Sequence, residues 1–259
     1  MYLSFNAVHT PMHVKTEHLE KYKGHYRQKL AAMTWSLDEN IGKIMSKLEE
    51  QGNLENTLIF FLSDNGGATT NNSLNGSLKG FKGTKFEAGH RVPFIVHWKG
   101  KINKGVIFDG LSSSLDIFKT SIDASRINQD ENLVLDGVIL LPYLKGEKSG
   151  DPHDKLFWRK LGKSAVRIGD DKLIRLDNYG SVLYNLRDDL GETQDLSDLD
   201  TKTFSNLTQE LEHWEEGLID PLWYENDFWL KRSFEIHKNL MLNKYRDVES
   251  MKSYNKKIN

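Results

Sequence analysis

The sequence predicts an α/β arrangement that gives way to a smaller α+β region, and three observations support this prediction. From about residue 27 to 51, apolar residues recur mostly at steps of three and four and stop at Gly52, which is typical of an amphipathic helix. A short apolar run at 57–62 then predicts a buried strand. Between 165 and 185, three strand-like runs alternate with turn residues, which indicates an antiparallel meander.

The first half of the chain predicts alternating helices and strands. The 57–62 run, Thr-Leu-Ile-Phe-Phe-Leu, is apolar throughout, like a strand that is covered on both faces in a parallel sheet. Because it follows the long helix directly, we expect a helix-to-parallel-strand unit, with the next strand at 92–98. Ser113 and Asp116 predict a capping box that opens a helix running to about Ala124.

The second half predicts a separate subdomain. Gly, Lys, Ser, Asp and Pro dominate residues 146–152, so we place a boundary there, between domains 1–148 and 149–259. Short strands at 165–168, 172–176 and 182–185 precede a helix at 204–218. Five aromatic residues follow or lie in that helix, and we expect them to pack it onto the sheet, with a sugar-stacking platform as the alternative. They are Trp214, Trp223, Tyr224, Phe228 and Trp229.

Composition excludes several classes of partner. The 259 residues include 35 basic and 37 acidic side chains, a net charge of −2, so we expect no nucleic-acid and no anionic-membrane partner. No apolar run approaches the roughly 20 residues of a membrane span. The chain has no cysteine and therefore no disulfide, which is compatible with either cytoplasm or periplasm.

The 57–62 strand ends in Ser63-Asp64-Asn65-Gly66-Gly67, which combines two oxygen ligands with a sharp turn. Carboxylate and amide oxygens suit a hard cation such as Ca²⁺ or Mg²⁺, and the carboxyl ends of strands are where open α/β sheets bind ligands. The same residues are also ordinary turn formers. Because Ca²⁺ takes roughly six to eight oxygens, Asp64 and Asn65 would need further ligands from elsewhere.

A glycine- and lysine-rich segment at 75–96 lies shortly after this turn. Its four glycines allow close approach of the backbone to a ligand, and its lysines attract tetrahedral oxyanions. The cationic or potentially cationic members are Lys79, Lys82, Lys85, His90 and Arg91. A metal-ligand pair beside such a loop favours a hydrolase of sulfate or phosphate esters.

Taken together, Ser-Asp-Asn-Gly-Gly and the later Asn-Gly-x-Leu-Lys-Gly-x-Lys-Gly-Thr-x-x-Glu-x-Gly-x-Arg-Val-Pro resemble the sulfatase family of the alkaline-phosphatase superfamily. The resemblance extends from residue 2 to about 215. It implies an alkaline-phosphatase-like fold, with a mostly parallel sheet flanked by helices, of which this chain would be the back part. A small α+β C-terminal subdomain with an antiparallel sheet would follow.

The resemblance also implies roles for individual residues. Asp64 and Asn65 match calcium ligands, and Lys82 matches the lysine that binds the sulfate and stabilises the departing oxygen. His9 matches a histidine that binds sulfate and protonates the leaving group. Lys79 and Arg91 are further candidate substrate ligands. For both residues we favour a structural role, which for Arg91 is to anchor the loop through an ion pair with Glu87.

The parts of the family pattern that this chain lacks are equally informative. Sulfatases carry, in their first third, a pair of aspartates for calcium and a Cys- or Ser-x-Pro-Ser-Arg motif whose first residue becomes the formylglycine nucleophile. This sequence has no such motif, and it opens at Met1 directly before a core strand. We therefore expect the back part of a longer protein, with the N-terminal part as its partner and no activity alone. A periplasmic or secreted location would be usual for full-length members.

Three functions remain open from the sequence. The first is a sulfuric ester hydrolase acting on a sulfated carbohydrate or small molecule, of which this chain is a fragment. The second is a phosphoester or phosphonate hydrolase of the same superfamily. The third is an inactive remnant that binds sulfated glycan through Lys79, Lys82 and the C-terminal aromatic residues.

Overall fold

The computed structural model describes residues 1–128 and 132–258, which form eight α-helices and six strands within those ranges. The helices are α1 (Thr16–Lys21), α2 (Gln28–Glu50), α3 (Glu87–His90), α4 (Asp116–Ala124), α5 (Leu141–Leu144), α6 (Thr201–Glu216), α7 (Asp227–Met241) and α8 (Val248–Ile258). The strands are β1 (Ile59–Leu62), β2 (Phe94–His97), β3 (Lys155–Lys160), β4 (Lys163–Ile168), β5 (Asp171–Leu176) and β6 (Gly180–Asn185). None of the helices in these ranges is both long and apolar enough to cross a bilayer.

The predicted long helix is confirmed as α2. It ends where Gly52 adopts a left-handed φ of 68°, a conformation that glycine takes without steric cost. The Gly52 and Asn53 amides donate to the carbonyls of Glu49 and Leu48, so the last turn of the helix is closed by backbone hydrogen bonds. This stop delivers the chain to β1.

The parallel pairing that we expected for the 57–62 strand is wrong within the described residues. β1 pairs with β2 in an antiparallel register, with Phe61 opposite Ile95, and all four β1 residues are half-buried. An apolar run reports that a strand is largely covered, but it carries no information about the direction of its neighbour. The long loop from β1 to β2 contains only the four-residue α3, and it returns the chain antiparallel.

The predicted antiparallel meander is confirmed and gains a fourth strand, giving the order β3-β4-β5-β6. Side chains alternate between its two faces, as the period of two requires. One face packs on α6 through Val166, Leu173, Leu183, Leu207 and Leu211. The other packs on α7 and on the glycine- and lysine-rich loop, through a cluster that includes Ala165, Ile174, Tyr184, Leu240, Phe81 and Phe86. The loop is therefore built into the core of the C-terminal sheet.

The capping box predicted for α4 forms in part: the Asp116 carboxylate accepts from the Ser113 amide at 2.7 Å, but the Ser113 hydroxyl accepts from the Leu115 amide at 3.2 Å and not from the Asp116 amide. Asp116 is fully buried and additionally pairs with His153 at 2.6 Å. This contact joins the two halves of the chain across residue 148, which we keep as a proposed domain boundary.

The expectation that the C-terminal aromatic residues pack into the core holds for one of the five. Trp214 stacks on Phe157, with ring centroids 4.8 Å apart. The other four lie 59–79% exposed, namely Trp223, Tyr224, Phe228 and Trp229. They sit in or beside the connection between α6 and α7, which is tied to β3 by its acidic residues: Asp220 pairs with Arg159 and Glu225 with Lys160. Because the polar residues make these contacts, the aromatic rings remain in solvent.

Candidate active site

The turn after β1 is pressed against the loop that precedes β2. The Gly66 amide donates to the Gly89 carbonyl at 3.1 Å, and a Cβ atom at Gly66 would lie only 1.7 Å from the Ala88 carbonyl oxygen. A Cβ at Gly89 would likewise lie 2.1 Å from the Thr84 oxygen. Only glycine permits two backbones to approach this closely, so both glycines are required by the packing.

Asp64 and Asn65 project from this turn with oxygen atoms available. Asp64 is exposed, and the Asn65 amide nitrogen donates to the Gly66 carbonyl, which leaves Oδ1 free to act as a ligand. The donor set fits a hard cation, but it supplies only two oxygens. Within residues 1–128 and 132–258, no cluster of three or more His, Cys, Asp or Glu side chains is placed to hold a metal ion.

Lys82 and His9, which lie 73 residues apart in sequence, meet at the same place. Lys82 Nζ is 3.0 Å from His9 Nε2, and the Lys82 amide donates to the Gly67 carbonyl at 3.0 Å. His9 Nδ1 lies 2.7 Å from the Thr10 carbonyl, which can only accept, so Nδ1 carries the proton and Nε2 accepts from Lys82. The structure thus brings the His9 and Lys82 side chains together, and it joins the Lys82 backbone to Gly67, two residues after Asn65.

Lys79 does not join them. Its side chain is only 1% exposed, and its Nζ donates to the Glu192 carbonyl at 2.7 Å and to Asn243 Oδ1 at 2.6 Å. Burial lowers the pKa of Lys79 to about 8, although the nearby Glu192 acts in the opposite direction. The ammonium is held inside the C-terminal part of the molecule, so the structural alternative is the one that the geometry favours.

A buried ion cluster fixes the far end of the loop. Lys172 Nζ lies 2.8 Å from both Glu87 Oε1 and Glu192 Oε1, and all three side chains are at most 2% exposed. Burial alone would raise the pKa of Glu87, but Lys172 outweighs it and lowers that pKa to about 2. Burial raises the pKa of Glu192. Arg91 contacts Glu87 at 3.5 Å, as the structural alternative for Arg91 requires.

His90 is not a cation of the loop, because burial lowers its pKa to about 3. Its ring stacks on Trp158 of β3 at a centroid distance of 4.2 Å. The loop therefore presents one lysine, Lys82, to His9, while the other polar residues described above tie it to the C-terminal sheet.

Comparison with known proteins identifies the family. A family model described as Sulfatase matches residues 1–127. The uncharacterized sulfatase YdeN of Escherichia coli (strain K12) is 31% identical over 206 residues, which cover 77% of this chain and 36% of that protein. The N-acetylgalactosamine-6-sulfatase of Mus musculus is 33% identical over 178 residues, covering 66% of this chain and 33% of that protein. The chain belongs to the sulfatase family.

Solved structures agree on the fold of this sulfatase chain. The crystal structure of Ps i-CgsB in complex with k-i-k-neocarrahexaose superposes with a TM-score of 0.80 at 27% identity, covering 92% of this chain and 54% of that one. The alkaline-phosphatase-like α/β fold is confirmed. The chain spans about a third of the length of the two curated relatives above and about half of the i-CgsB chain. Family membership implies a metal ion and a formylglycine in sulfatases in general.

Four residues that contact the 79–87 segment were not singled out in the sequence, namely Lys172, Glu192, His237 and Asn243. Lys172 carried a usable signal, because it occupies the same face of β5 as the buried Ile174 and Leu176. A charged residue at an inward position of an alternating strand indicates a buried partner of opposite charge. The others are distant in sequence from the motifs, and no local pattern marks them.

Proposed function

We propose that this chain supplies one wall of a sulfuric ester hydrolase site, formed by His9, Lys82, Asp64 and Asn65. The observation that carries the proposal is the 3.0 Å contact between Lys82 Nζ and His9 Nε2. The Lys82 ammonium can donate to an anion, and His9 Nε2, which accepts from Lys82 in this structure, can do so once it carries a proton; such a pair suits an ester that carries concentrated negative charge.

The residues of the chain divide the work between binding and proton transfer. Lys82 would hold the sulfate oxygens as a point charge and stabilise negative charge on the departing oxygen. His9 is oriented by the hydrogen bond from Nδ1 to the Thr10 carbonyl, and its Nε2 lies next to Lys82 Nζ. When Nε2 carries a proton, it can bind the sulfate group and pass that proton to the leaving alcohol. Nδ1 thus orients the ring, and Nε2 is the atom that would contact the ester.

Asp64 and Asn65 would contribute two oxygens to a Ca²⁺ ion, completed by residues of the N-terminal part of the protein. In a complete sulfatase the ion neutralises sulfate charge and the formylglycine supplies the nucleophile. The sequence has no Cys- or Ser-x-Pro-Ser-Arg motif from which that nucleophile could form. We therefore propose an N-terminal part of the same protein as the partner that completes the site.

A sulfated carbohydrate is the substrate class that the relatives favour. One relative is named N-acetylgalactosamine-6-sulfatase, and i-CgsB was crystallised with a neocarrahexaose. Both names contain a sugar, and the two proteins match 66% and 92% of this chain. We extend that substrate class to the complete protein of which this chain would form the C-terminal portion.

Inorganic sulfate tests the anion site directly. We expect the purified chain to bind sulfate in a calorimetric titration, and Lys82→Ala to raise the dissociation constant at least tenfold because it removes the point charge. Lys104→Ala, at an exposed lysine outside the site, is the matched control and should change the constant less than twofold. Equal affinity of the Lys82 variant and the wild type would overturn the proposed site.

The missing nucleophile is tested separately with 4-nitrophenyl sulfate. The chain alone should not turn this ester over, since removal of a nucleophile costs many orders of magnitude in rate. Addition of an N-terminal part that carries the Cys- or Ser-x-Pro-Ser-Arg motif should restore turnover. Turnover by the 259-residue chain alone would contradict the proposed division of the site.

A further inference from the structure

The loop that carries Lys82 is hydrogen-bonded to the segment 237–246, which lies near the C-terminal end of this sequence. The Gly80 amide donates to the Arg246 carbonyl at 2.7 Å, and the Lys85 amide donates to His237 Nε2 at 3.2 Å. These contacts lie on either side of Lys82. The resemblance in sequence ends near residue 215, so this segment lies outside the part that the family motifs cover.

Asn243 makes the strongest of these contacts. Its Oδ1 accepts from the buried Lys79 ammonium at 2.6 Å, and its Nδ2 donates to the Thr193 carbonyl at 2.9 Å. A hydrogen bond to a charged donor is stronger than one between neutral groups. The amide of Asn243 thereby joins the start of the Lys82 loop to the connection that carries Glu192.

The backbone conformation at Asn243 suits either asparagine or glycine, so a glycine there would remove the side chain without changing the turn. The residue follows the end of α7 with a left-handed φ of 54°, and the amides of Asn243 and Lys244 donate to the carbonyls of Leu240 and Asn239. Glycine is the residue that usually terminates a helix in this geometry. A glycine would suit the turn but would lose both side-chain hydrogen bonds.

His237 holds the other side of the loop in a defined protonation state. Its Nδ1 lies 2.8 Å from the Ser233 carbonyl and therefore carries the proton, which leaves Nε2 as the acceptor for the Lys85 amide. The side chain is 1% exposed, so water does not compete for this bond.

We propose that Asn243 and His237 are positioning residues, which fix both ends of the 79–85 segment so that Lys82 Nζ stays against His9 Nε2. Neither residue touches the substrate; they act through the loop. This inference rests on the proposed role of His9 and Lys82 in anion binding. It assigns a function in the site to a part of the chain that carries no family motif.

Asn243→Gly tests this proposal because it keeps the left-handed turn and removes only the amide. The readouts are the His9 ring signals in NMR spectra and the exchange rates of the Gly80 and Lys82 amide protons. We expect the His9 signals to shift and both amides to exchange at least tenfold faster, together with a lower melting temperature, because the buried Lys79 ammonium loses an acceptor. Asn178→Gly is the matched control, since Asn178 also has a left-handed φ, of 60°, in the exposed turn between β5 and β6.

A rescue variant and a second route to the same bond complete the test. Asn243→Asp keeps an acceptor for Lys79 and loses only the donor to the Thr193 carbonyl, so it should retain the His9 signals of the wild type if the Lys79 bond positions the loop. If Asn243→Gly does not fold, Lys79→Met removes the same bond from the loop side and should give the same signature. Unchanged His9 signals and amide exchange in a folded variant would overturn the proposal, as would failure of both variants to fold, which would indicate a purely structural role.

Sulfate titration separates this inference from the proposed function. If the wild type binds sulfate and Asn243→Gly binds at least threefold more weakly while Asn178→Gly matches the wild type, both proposals are supported. If the wild type binds no sulfate, the anion site is overturned, whereas the NMR readouts still decide whether Asn243 positions the loop. Unchanged sulfate affinity in Asn243→Gly would contradict the positioning role alone.

Discussion

At the scale of single residues, His237 couples the Lys82 loop to pH. Burial lowers its pKa to about 4, against an ordinary value of 6.5, and the cations Lys163, Lys85 and Lys160 act in the same direction while the Ser233 carbonyl opposes them. Between these two pH values His237 is protonated in the unfolded chain but neutral in the folded chain. The contribution of neutral His237 to folding stability is therefore fully present above pH 6.5 and is lost as the pH falls towards 4.

We predict that His237→Gln flattens this pH dependence. Glutamine can accept from the Lys85 amide but does not titrate, so the slope of unfolding free energy against pH between 4 and 6.5 should fall by about one proton, or about 1.4 kcal/mol per pH unit. Urea denaturation at a series of pH values measures it. A residual slope is expected from His90, whose pKa is also depressed.

His213→Gln is the control for this experiment. The His213 side chain is 86% exposed, so its replacement should leave the slope unchanged. If His213→Gln and His237→Gln flatten the profile equally, the acid sensitivity does not come from the buried ring that contacts the loop.

Individual site residues were predictable only where a local motif marks them. His9, Asp64, Asn65 and Lys82 all stand in patterns that resemble a family, and the contact between His9 and Lys82 agrees with that interpretation. Lys79 stood in the same motif, but its burial could not be read there, because its partners lie 113 and 164 residues away. Motifs report which residues recur together, whereas burial depends on contacts made across the whole fold.

At the scale of elements, the turn after β1 depends on two backbones in direct contact. We predict that Gly66→Ala destabilises the chain by about 3 kcal/mol or more, because its Cβ would overlap the Ala88 carbonyl oxygen at 1.7 Å and backbone must move. Sulfate affinity should fall as well, since the same turn accepts the Lys82 amide at Gly67. Urea denaturation and calorimetry measure the two effects.

Gly42→Ala is the matched control for Gly66→Ala. Gly42 lies inside α2, and a Cβ atom there would have no neighbour within 4 Å, so alanine should stabilise the helix by up to about 1 kcal/mol. A Gly66 variant as stable as this control would show that the turn and the loop before β2 can separate without cost.

The predictability of the elements followed the strength of their local patterns. α2, α4, α6 and the meander were identified because helical spacing, a capping box and regular turns are short-range signals. The direction of β1 was not, since strand pairing is decided by a partner strand that lies beyond a long loop in the chain. The exposure of the four aromatic residues was also not predicted. Their neighbours Asp220 and Glu225 form ion pairs with β3, and no spacing in the sequence indicates those contacts.

At the scale of the whole molecule, large apolar side chains are exposed on several parts of the described chain. Ile95 on β2 is 56% exposed, and the N-terminal residues Tyr2, Leu3 and Phe5 are also exposed. Further exposed apolar side chains are the four aromatic rings in and beside the α6–α7 connection. Exposed apolar side chains of this kind favour association of a protein with partners or with its own copies.

We predict that the isolated chain associates as its concentration rises, because burial of this surface is favourable. Sedimentation velocity over a hundredfold range of concentration should show a rising weight-average mass. Ile95→Thr should weaken the association if the β2 surface is responsible, whereas Trp223→Ser should weaken it if the aromatic connection is. A chain that stays monomeric at the highest concentration would contradict the prediction.

The contact between Lys79 and Asn243 also sets an order of events during synthesis. Asn243 is made 164 residues after Lys79, an interval of about 8–33 s at roughly 5–20 residues per second. Throughout that time the nascent loop lacks its hydrogen bonds to Asn243 and His237. If these bonds position Lys82 as we propose, Lys82 reaches its place only after residues 237–243 have been synthesised. We therefore expect a premature stop codon at position 237 to spare every residue that we assign to sulfate binding and still to remove the contacts that position Lys82.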